Sequence, residues 1–177
     1  MPEQKRDRPA GGSGTAPTSL GCDNGKGTGP LSHDHLTATA HAAEAAVLGA
    51  MLLDDDARQG VPSMLTPDDF HREAHRVVFA AIVAVLEDGH VPDVLTVTTK
   101  LATRRQLDEV GGALGVSDLT GMDVCPVPAS WPAYSTVVAR EARRRRGITT
   151  LRRALDRLEA GEDPGVVASD LCGEVAQ

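Results

Sequence analysis

Two histidines four residues apart, His71 and His75, come closest to a metal-binding pattern. Histidines at this spacing on one helix face can share a zinc ion. Zinc proteases place a glutamate directly after the first histidine, whereas Glu73 comes two residues later, and no third ligand is apparent. We therefore predict no metal site and expect His75 to pack in the core beside Phe79.

A glycine-rich motif, Gly25-Lys26-Gly27-Thr28, has the residue types of a phosphate-binding loop. A P-loop needs the pattern G-x-x-x-x-G-K-[ST] between a strand and a helix, so that backbone N–H groups and the lysine meet the phosphates. Leu20 and Gly27 break that pattern, and no strand is indicated on either side. We therefore expect no ATP binding by this segment, and no cofactor is indicated elsewhere.

The acidic clusters and the cysteines do not suggest a catalytic site. The acids at 54–56 and 68–69 stand where helix ends are expected, so capping and solvation account for them. Cys22, Cys125 and Cys172 form no C-x-x-C pair, so neither a disulfide framework nor a Cys-based zinc site is indicated. Without a Ser/His/Asp or Cys/His set, we predict that the protein is not an enzyme.

Charge is distributed unevenly along the 177 residues, whose net charge is −7. Residues 36–123 carry a charge of −8, whereas residues 129–158 hold eight arginines and two acids. The acidic total argues against a protein whose whole surface binds nucleic acid. Four aromatic residues are also few for the stacking platforms of single-strand binders. The sequence thus predicts an acidic body with one basic helical arm.

Apolar residues at spacings of three and four predict an all-α fold, a helical globule followed by a helical hairpin. The first helix should begin at Thr37 or Thr39, either of which can cap it, and end at the acids 54–56. A glycine and a proline weaken the next segment, 57–65, which we interpret as a short helical turn.

The middle of the chain should contain three further helices. Residues 66–69, Thr-Pro-Asp-Asp, have the features of a strong helix start, and the helix that follows should end at Asp88-Gly89. Residues 94–101 are rich in β-branched residues, which permits a strand. We favour a helix there because Asp93 or Thr96 can cap it and because Val97 and Leu101 are four residues apart. A short helix should follow the break at Gly111-Gly112.

The C-terminal part should be a helical hairpin. Pro132 is tolerated in the first turn of a long helix that ends at Ala160-Gly161. A turn at 162–165 should lead to a last helix through Val175 that folds back.

Three regions follow from this pattern: a disordered Gly/Pro/Ser/Thr-rich tail over 1–35, a helical subdomain over 36–128 and the hairpin over 129–177. The apolar runs are shorter than the roughly 20 residues of a membrane helix, and no signal pattern begins the chain. We therefore expect a cytoplasmic protein with no membrane contact.

Residues 43–160 contain an ordered series of motifs. The string AEAAVLGAMLLD at 43–54 resembles the opening helix E-x-x-V-L-G-x-x-L-L-D of the N-terminal domain of DnaB-type replicative helicases. The later motifs of that family follow in the same order: Asp69-Phe70, His75 and Phe79, Gly89-x-x-Pro92-Asp93, Gln106-Leu107, Val110-Gly111-Gly112, and Tyr134-x-x-Val137-Val138. The resemblance implies that family's all-α fold.

Five positions depart from the family pattern. His71 and Ala113 stand where aromatic residues are usual, and Arg105 stands where glycine is usual. Trp131-Pro132 replaces the small polar start of the long helix. These departures concern individual surface contacts more than the fold.

The resemblance implies a role in DNA replication through self-association into a ring collar and docking of helicase or primase. No motor is implied, since the chain carries no Walker A loop. The predicted interface residues are Tyr134, Val137, Val138, Leu151, Leu155 and Leu158. The arginines Arg143, Arg144, Arg145 and Arg146 are predicted to form a basic surface.

Two alternatives remain open at this point. In the first, the protein is a regulator or decoy: a lone collar domain that binds a full-length helicase or primase would block assembly. A DNA-binding adaptor would instead use the arginine-rich helix on phosphates. DNA is the secondary prediction because the aromatic residues of single-strand binders are few.

Overall fold

The computed structural model describes residues 33–125 and 127–175, with side chains from 39 to 173 apart from 126. These residues form helices and no strands, which confirms the all-α prediction. The α-helices are α1 (His33–Leu53), α2 (Asp55–Met64), α3 (Glu73–Glu87), α4 (Val94–Thr103), α5 (Gly112–Asp118), α6 (Trp131–Glu159) and α7 (Pro164–Val175). Short 3-10 helices cover Pro67–Asp69, Asp108–Val110 and Pro128–Ser130.

Helix α1 packs against α2, α3 and α6 and buries Val47, Leu48 and Met51 completely. It ends at Leu53 as predicted, but it begins at His33 and not at either threonine. The predicted start was wrong because residues 31–36 contain no proline or glycine, so the helix can extend upstream of its candidate caps. The rest of the predicted tail lies outside the described residues.

Gly49 allows α1 to approach the end of α5 closely. A β-carbon at Gly49 would lie 2.1 Å from the carbonyl oxygen of Leu119 and 2.9 Å from the β-carbon of Cys125. Both distances are too short for any side chain. The glycine of the opening motif is therefore required by packing.

The segment predicted as a short helical turn over 57–65 is a longer, ten-residue helix, α2. The Asp54 carboxylate caps it by accepting the N–H of Ala57 at 2.9 Å, as predicted for an acid at this position. Pro62 lies near the C-terminal end of the helix, and Ala57 and Val61 are fully buried. Tertiary packing of this apolar face outweighs the low helix propensity.

The predicted helix start at Thr66 is only partly correct. Asp69 accepts hydrogen bonds from the N–H of Thr66 at 2.8 Å and from its hydroxyl at 2.9 Å, but this box caps a 3-10 helix. Phe70 is then extended and fully buried, and α3 begins only at Glu73. Helix α3 does not start at Thr66 because the extended backbone at Phe70 places its ring in the core.

Two further helices agree with the prediction. Helix α3 ends at Glu87, and Gly89 has the positive φ of 78° that such an ending favours. Residues 94–103 form the helix α4, where the Asp93 carboxylate accepts the N–H of Thr96 at 2.7 Å. The reciprocal contact, from the N–H of Asp93 to the Thr96 hydroxyl, completes a capping box.

The turn after α4 contains a left-handed residue that is not glycine. Arg105 has a φ of 58°, whereas Arg104 before it has an ordinary φ of −84°. L-residues pay roughly 1–2 kcal/mol for this conformation. The glycine that the resembling family tends to place here therefore suits the backbone better than arginine.

The C-terminal helices form the predicted hairpin. Pro132 lies in the first turn of α6, and Gly161, with a φ of 85°, follows its C-terminal end. Helix α7 packs against α6 and buries Val167 there, while Ala154 is buried on α6. The division into 36–128 and 129–177 stays a prediction. No helix in the described part of the chain has the length and apolar character to span a membrane.

Candidate functional site

A buried carboxylate, Glu44, connects α1 to three other parts of the chain. It accepts the backbone N–H groups of His71 at 2.6 Å and Arg72 at 3.4 Å, and it lies 2.8 Å from Nδ1 of His75. The guanidinium of Arg145 on α6 is 3.9 Å away. A fully buried charge is tolerated only where donors surround it, so these contacts form a latch, here called the Glu44 latch.

The latch favours the charged form of Glu44. Burial alone would raise the pKa of this carboxyl, since a low-dielectric environment disfavours charge. Hydrogen bonds from His75 and from the backbone of His71 and Arg72 outweigh burial and hold the pKa below its ordinary value. Glu44 is therefore ionised at neutral pH.

Asp69 attaches α6 to the 3-10 helix before α3. Its carboxylate lies 2.8 Å from Nη1 of Arg146, and its carbonyl oxygen accepts a hydrogen bond from Arg145. Burial would raise the pKa of Asp69, but hydrogen bonds from the Thr66 backbone and from Arg146 outweigh it and lower the pKa. The predicted helix-start acid therefore also positions the long helix.

The four predicted basic-surface residues have different surroundings. Arg143 is exposed, and Arg144 lies 3.8 Å from Glu141 on the same helix. Arg145 and Arg146 contact the 3-10 helix through Asp69. Two of the four arginines thus hold α6 in place as well as contributing positive charge.

An ion-pair cluster closes the hairpin. Arg157 on α6 lies 2.5 Å from Glu162 in the turn and 2.9 Å from Asp170 on α7. The hydrogen bond to Glu162, and to a lesser extent the one to Asp170, raises the pKa of Arg157. The hydrogen bond from Arg157 lowers the pKa of Glu162. Glu162 and Asp170 are exposed, so the ion pairs contribute little to stability and mainly connect the turn and α7 to α6.

The six predicted interface residues separate into two groups. Leu151, Leu155 and Leu158 are 60%, 54% and 41% exposed, and we call them the leucine row. Val138 is 1% exposed in the core. Tyr134 and Val137 are partly buried and pack against the same core. The structure therefore presents only the leucine row as a clearly accessible apolar surface among these positions.

The two histidines considered as a metal pair, His71 and His75, do not lie on one helix, so that part of the prediction was wrong. His71 lies before α3, because the chain is extended at Phe70 and the helix begins only at Glu73. His71 is exposed, and its ring stacks on that of His41 with the centroids 5.0 Å apart. His75 lies on α3, buried as expected, and contacts Glu44. Groups of three or more metal-ligating side chains are absent from the described part of the chain. The segment 25–28 lies outside it.

Sequence reasoning missed the latch and the second role of Asp69. Glu44 was present in the quoted motif, but it was not singled out. The available signal was a single acid among apolar residues on the face of α1 expected to be buried, close to Val47 and Leu48. Such an acid needs buried donors, and three of its donors come from residues 71–75.

Comparisons with known proteins agree with this fold. The family model for the DnaB-like helicase N terminal domain matches residues 37–140. The replicative DNA helicase DnaB of Geobacillus stearothermophilus is 40% identical over 108 residues, which are 61% of this chain and 23% of that protein. The chain thus spans about a quarter of the length of this relative.

Two solved structures are similar to this one. The crystal structure of the N-terminal domain of DnaB helicase from Mycobacterium tuberculosis has a TM-score of 0.71 at 34% identity, over 77% of this chain and 96% of that chain. A DnaB-like replicative helicase, described with its interactions with primase, has a TM-score of 0.64 at 19% identity, over 76% of this chain and 31% of that one. The second similarity shows the fold alone.

The family model covers more than half of the chain, and the motifs it matches are those that build the core. Val47, Leu48, Gly49 and Phe70 all lie inside the matched range and are buried. The chain belongs to the DnaB-like helicase N-terminal domain family.

Proposed function

We propose that this protein acts in DNA replication as an assembly and docking domain. The α6–α7 hairpin joins copies of the chain, and the helical body docks a replicative helicase or primase. The observation that carries the proposal is the leucine row, Leu151, Leu155 and Leu158, which is exposed beside the buried hairpin residues Ala154 and Val167.

The leucine row has the spacing of a helix–helix seam. Its members are four and three residues apart, so they lie along one side of α6. Val166 on α7 is 49% exposed and adds apolar surface to the same hairpin. Fully burying a leucine contributes about 1.5–3 kcal/mol, so a partner that covers this row would gain several kcal/mol.

The occupant that we propose for the row is a second copy of the chain. A twofold axis lets one apolar patch meet its own copy, and this arrangement is the commonest in homo-oligomers. Tyr134 and Val137 would contribute only their accessible parts. Val138 supports the base of α6 from the core and makes no contact with the second copy.

Docking of replication partners rests on the relatives. The Geobacillus relative is a replicative DNA helicase, and one structural neighbour is described with primase. We extend these partners to the present chain and place its action in the cytoplasm. Because the family match is to the N-terminal domain, we expect the chain to hydrolyse no ATP by itself. Turnover by the purified protein would contradict that.

Light scattering on the full chain over a range of concentrations tests self-association. The proposal predicts a dimer or a higher oligomer whose mass falls on dilution, whereas a monomer at all concentrations would contradict it. Adding full-length replicative helicase or primase separately should give a larger complex with one of them. Loss of the helicase's unwinding activity in that complex would identify the chain as a regulator, and full activity would support a constructive role.

A further inference from the structure

A pair of adjoining grooves lies beside the middle of α6. One groove, of about 470 Å³, is lined by Arg76, Arg145, Arg146, Arg153, Thr149 and Thr150 among others. The second, of about 360 Å³, includes His41, Arg144, Ile148 and Arg152. Both include His71, Arg145 and Thr149, so together they form one surface, here called the arginine groove.

Arginine is the dominant charge of this groove. Six arginines line it, and the carboxylates among its lining residues are those of Asp68 and Glu141. This local excess of positive charge contrasts with the net charge of −7 for the whole chain. An anion is therefore the ligand that the groove favours.

Several of these arginines are already held in position. Nε of Arg76 donates to the carbonyl oxygen of Phe70 at 2.8 Å, and Nη1 of Arg146 donates to Asp69 at 2.8 Å. Each guanidinium has five N–H donors, so such contacts leave others unused. Held arginines lose less conformational entropy on binding than free ones. Glu44, Asp69 and Glu73 lie within ion-pair distance of Arg145, Arg146 and Arg76 and moderate the positive charge.

Further donors in the groove are unused. Arg152 and Arg153 are exposed and make no side-chain hydrogen bond or ion pair with the described residues, and Nε2 of His41 is buried without a hydrogen-bond partner among them. A buried polar atom without a partner is destabilising. A ligand that supplies acceptors would remove this cost.

The shape of the groove favours a repeated anion over a single one. Its α6 residues extend from Glu141 to Arg153, a distance of about 18 Å at 1.5 Å per residue. Arginine and threonine side chains are common donors to phosphate oxygens in nucleic-acid complexes. The ring surfaces of His41 and His71 face each other, which leaves phosphates as the main target over bases.

We propose that the arginine groove binds the phosphate backbone of single-stranded DNA without sequence preference. This binding is independent of the proposed hairpin association, because the leucine row does not line the groove. Such binding weakens as salt rises, with a slope set by the number of phosphates that the groove contacts.

Fluorescence anisotropy of labelled oligo(dT)20 with the full chain tests the proposal. The variant Arg152→Gln/Arg153→Gln should bind about tenfold more weakly at low salt, and its salt slope should be smaller by about 1.4, the value for two single-strand phosphate contacts. Arg104→Gln/Arg105→Gln removes the same charge outside the groove and should bind like wild type.

Three results would overturn the proposal. The first is no binding by wild type at 50 mM salt, and the second is an equal loss of affinity in both double variants. The third is equally effective competition by poly-glutamate at matched charge, which would identify an acidic polypeptide as the better ligand. Light scattering of each variant keeps a change of oligomeric state separate from a loss of DNA binding.

Discussion

Glu44 is the residue on which α1, α3 and α6 converge. Its carboxylate contacts His71, His75 and Arg145, and it is fully buried. Replacement by glutamine keeps the size but removes the negative charge and half of the accepting capacity. We expect Glu44→Gln to lower the free energy of unfolding by about 2–3 kcal/mol, since breaking a buried pair leaves its donors unpaired.

Urea unfolding followed by circular dichroism measures this effect. Glu87→Gln is the matched control, because Glu87 is exposed at the end of α3 and should change stability by less than about 0.5 kcal/mol. Equal stability of both variants would mean that the latch does not hold the helices together.

The lowered pKa values of Glu44 and Asp69 predict acid sensitivity. Both carboxyls ionise more readily in the folded state, so their contribution to stability is present above the unfolded pKa and is lost as pH falls through the folded pKa. We expect the free energy of unfolding to fall from about pH 5 downward. In Glu44→Gln this fall should be shallower, and an unchanged pH profile would contradict the assignment.

Arg105 offers a prediction of the opposite sign. Its φ of 58° is a strained conformation for arginine, and glycine adopts it freely. We expect Arg105→Gly to raise the free energy of unfolding by about 0.5–1 kcal/mol, measured by urea unfolding. Arg104→Gly is the control: Arg104 has an ordinary right-handed backbone, so glycine there should lower the free energy of unfolding. If both variants lose stability equally, backbone strain at Arg105 is not significant.

At the scale of elements, two glycines on long helices should respond oppositely to alanine. A β-carbon at Gly147 on α6 would meet nothing within 4 Å, so Gly147→Ala should stabilise the protein by about 0.5–1 kcal/mol through helix propensity. Gly49→Ala should destabilise it by about 3 kcal/mol, because the new carbon would clash with the Leu119 carbonyl. Thermal unfolding of the two variants measures both effects, and a shift in the same direction would refute the packing of α1.

The helices could be predicted from the sequence wherever tertiary packing agrees with apolar spacing and capping residues. Helix α3 and the α6–α7 hairpin follow from apolar spacing and glycine turns. For α4, a candidate cap at Asp93 or Thr96 and the four-residue spacing of apolar residues favoured a helix over a strand. The Thr66 box looked like the start of α3 because the sequence does not show that Phe70 turns inward. Helix α2 was underestimated because burial of its apolar face overrides weak propensity.

The site was predictable to a similar degree. Apolar spacing identified the leucine row, but the same spacing included Val138, and sequence alone does not say which turn of α6 lies in the core. The arginine run was visible as charge. The attachment of this run to Asp69 was not visible, because Arg145 and Arg146 follow Asp69 by 76 and 77 positions in the chain.

At the scale of the whole molecule, the two halves of α6 have different roles. The N-terminal half of α6 buries Ser135, Val138 and Ala142, while the leucine row in its C-terminal half stays exposed. The Glu44 latch therefore fixes the position of the hairpin base without contributing to the proposed contact between copies. This division predicts that association and folding respond to different substitutions.

Sedimentation equilibrium of Leu155→Asp beside Leu95→Asp tests that division most directly. Leu155 is 54% exposed in the leucine row and Leu95 is 74% exposed on α4, so both variants add one charge at an exposed leucine and should fold. The account predicts that Leu155→Asp shifts the protein toward monomer, at least about tenfold in dissociation constant, whereas Leu95→Asp keeps the wild-type mass. Equal masses for wild type and Leu155→Asp would contradict the hairpin as the association surface.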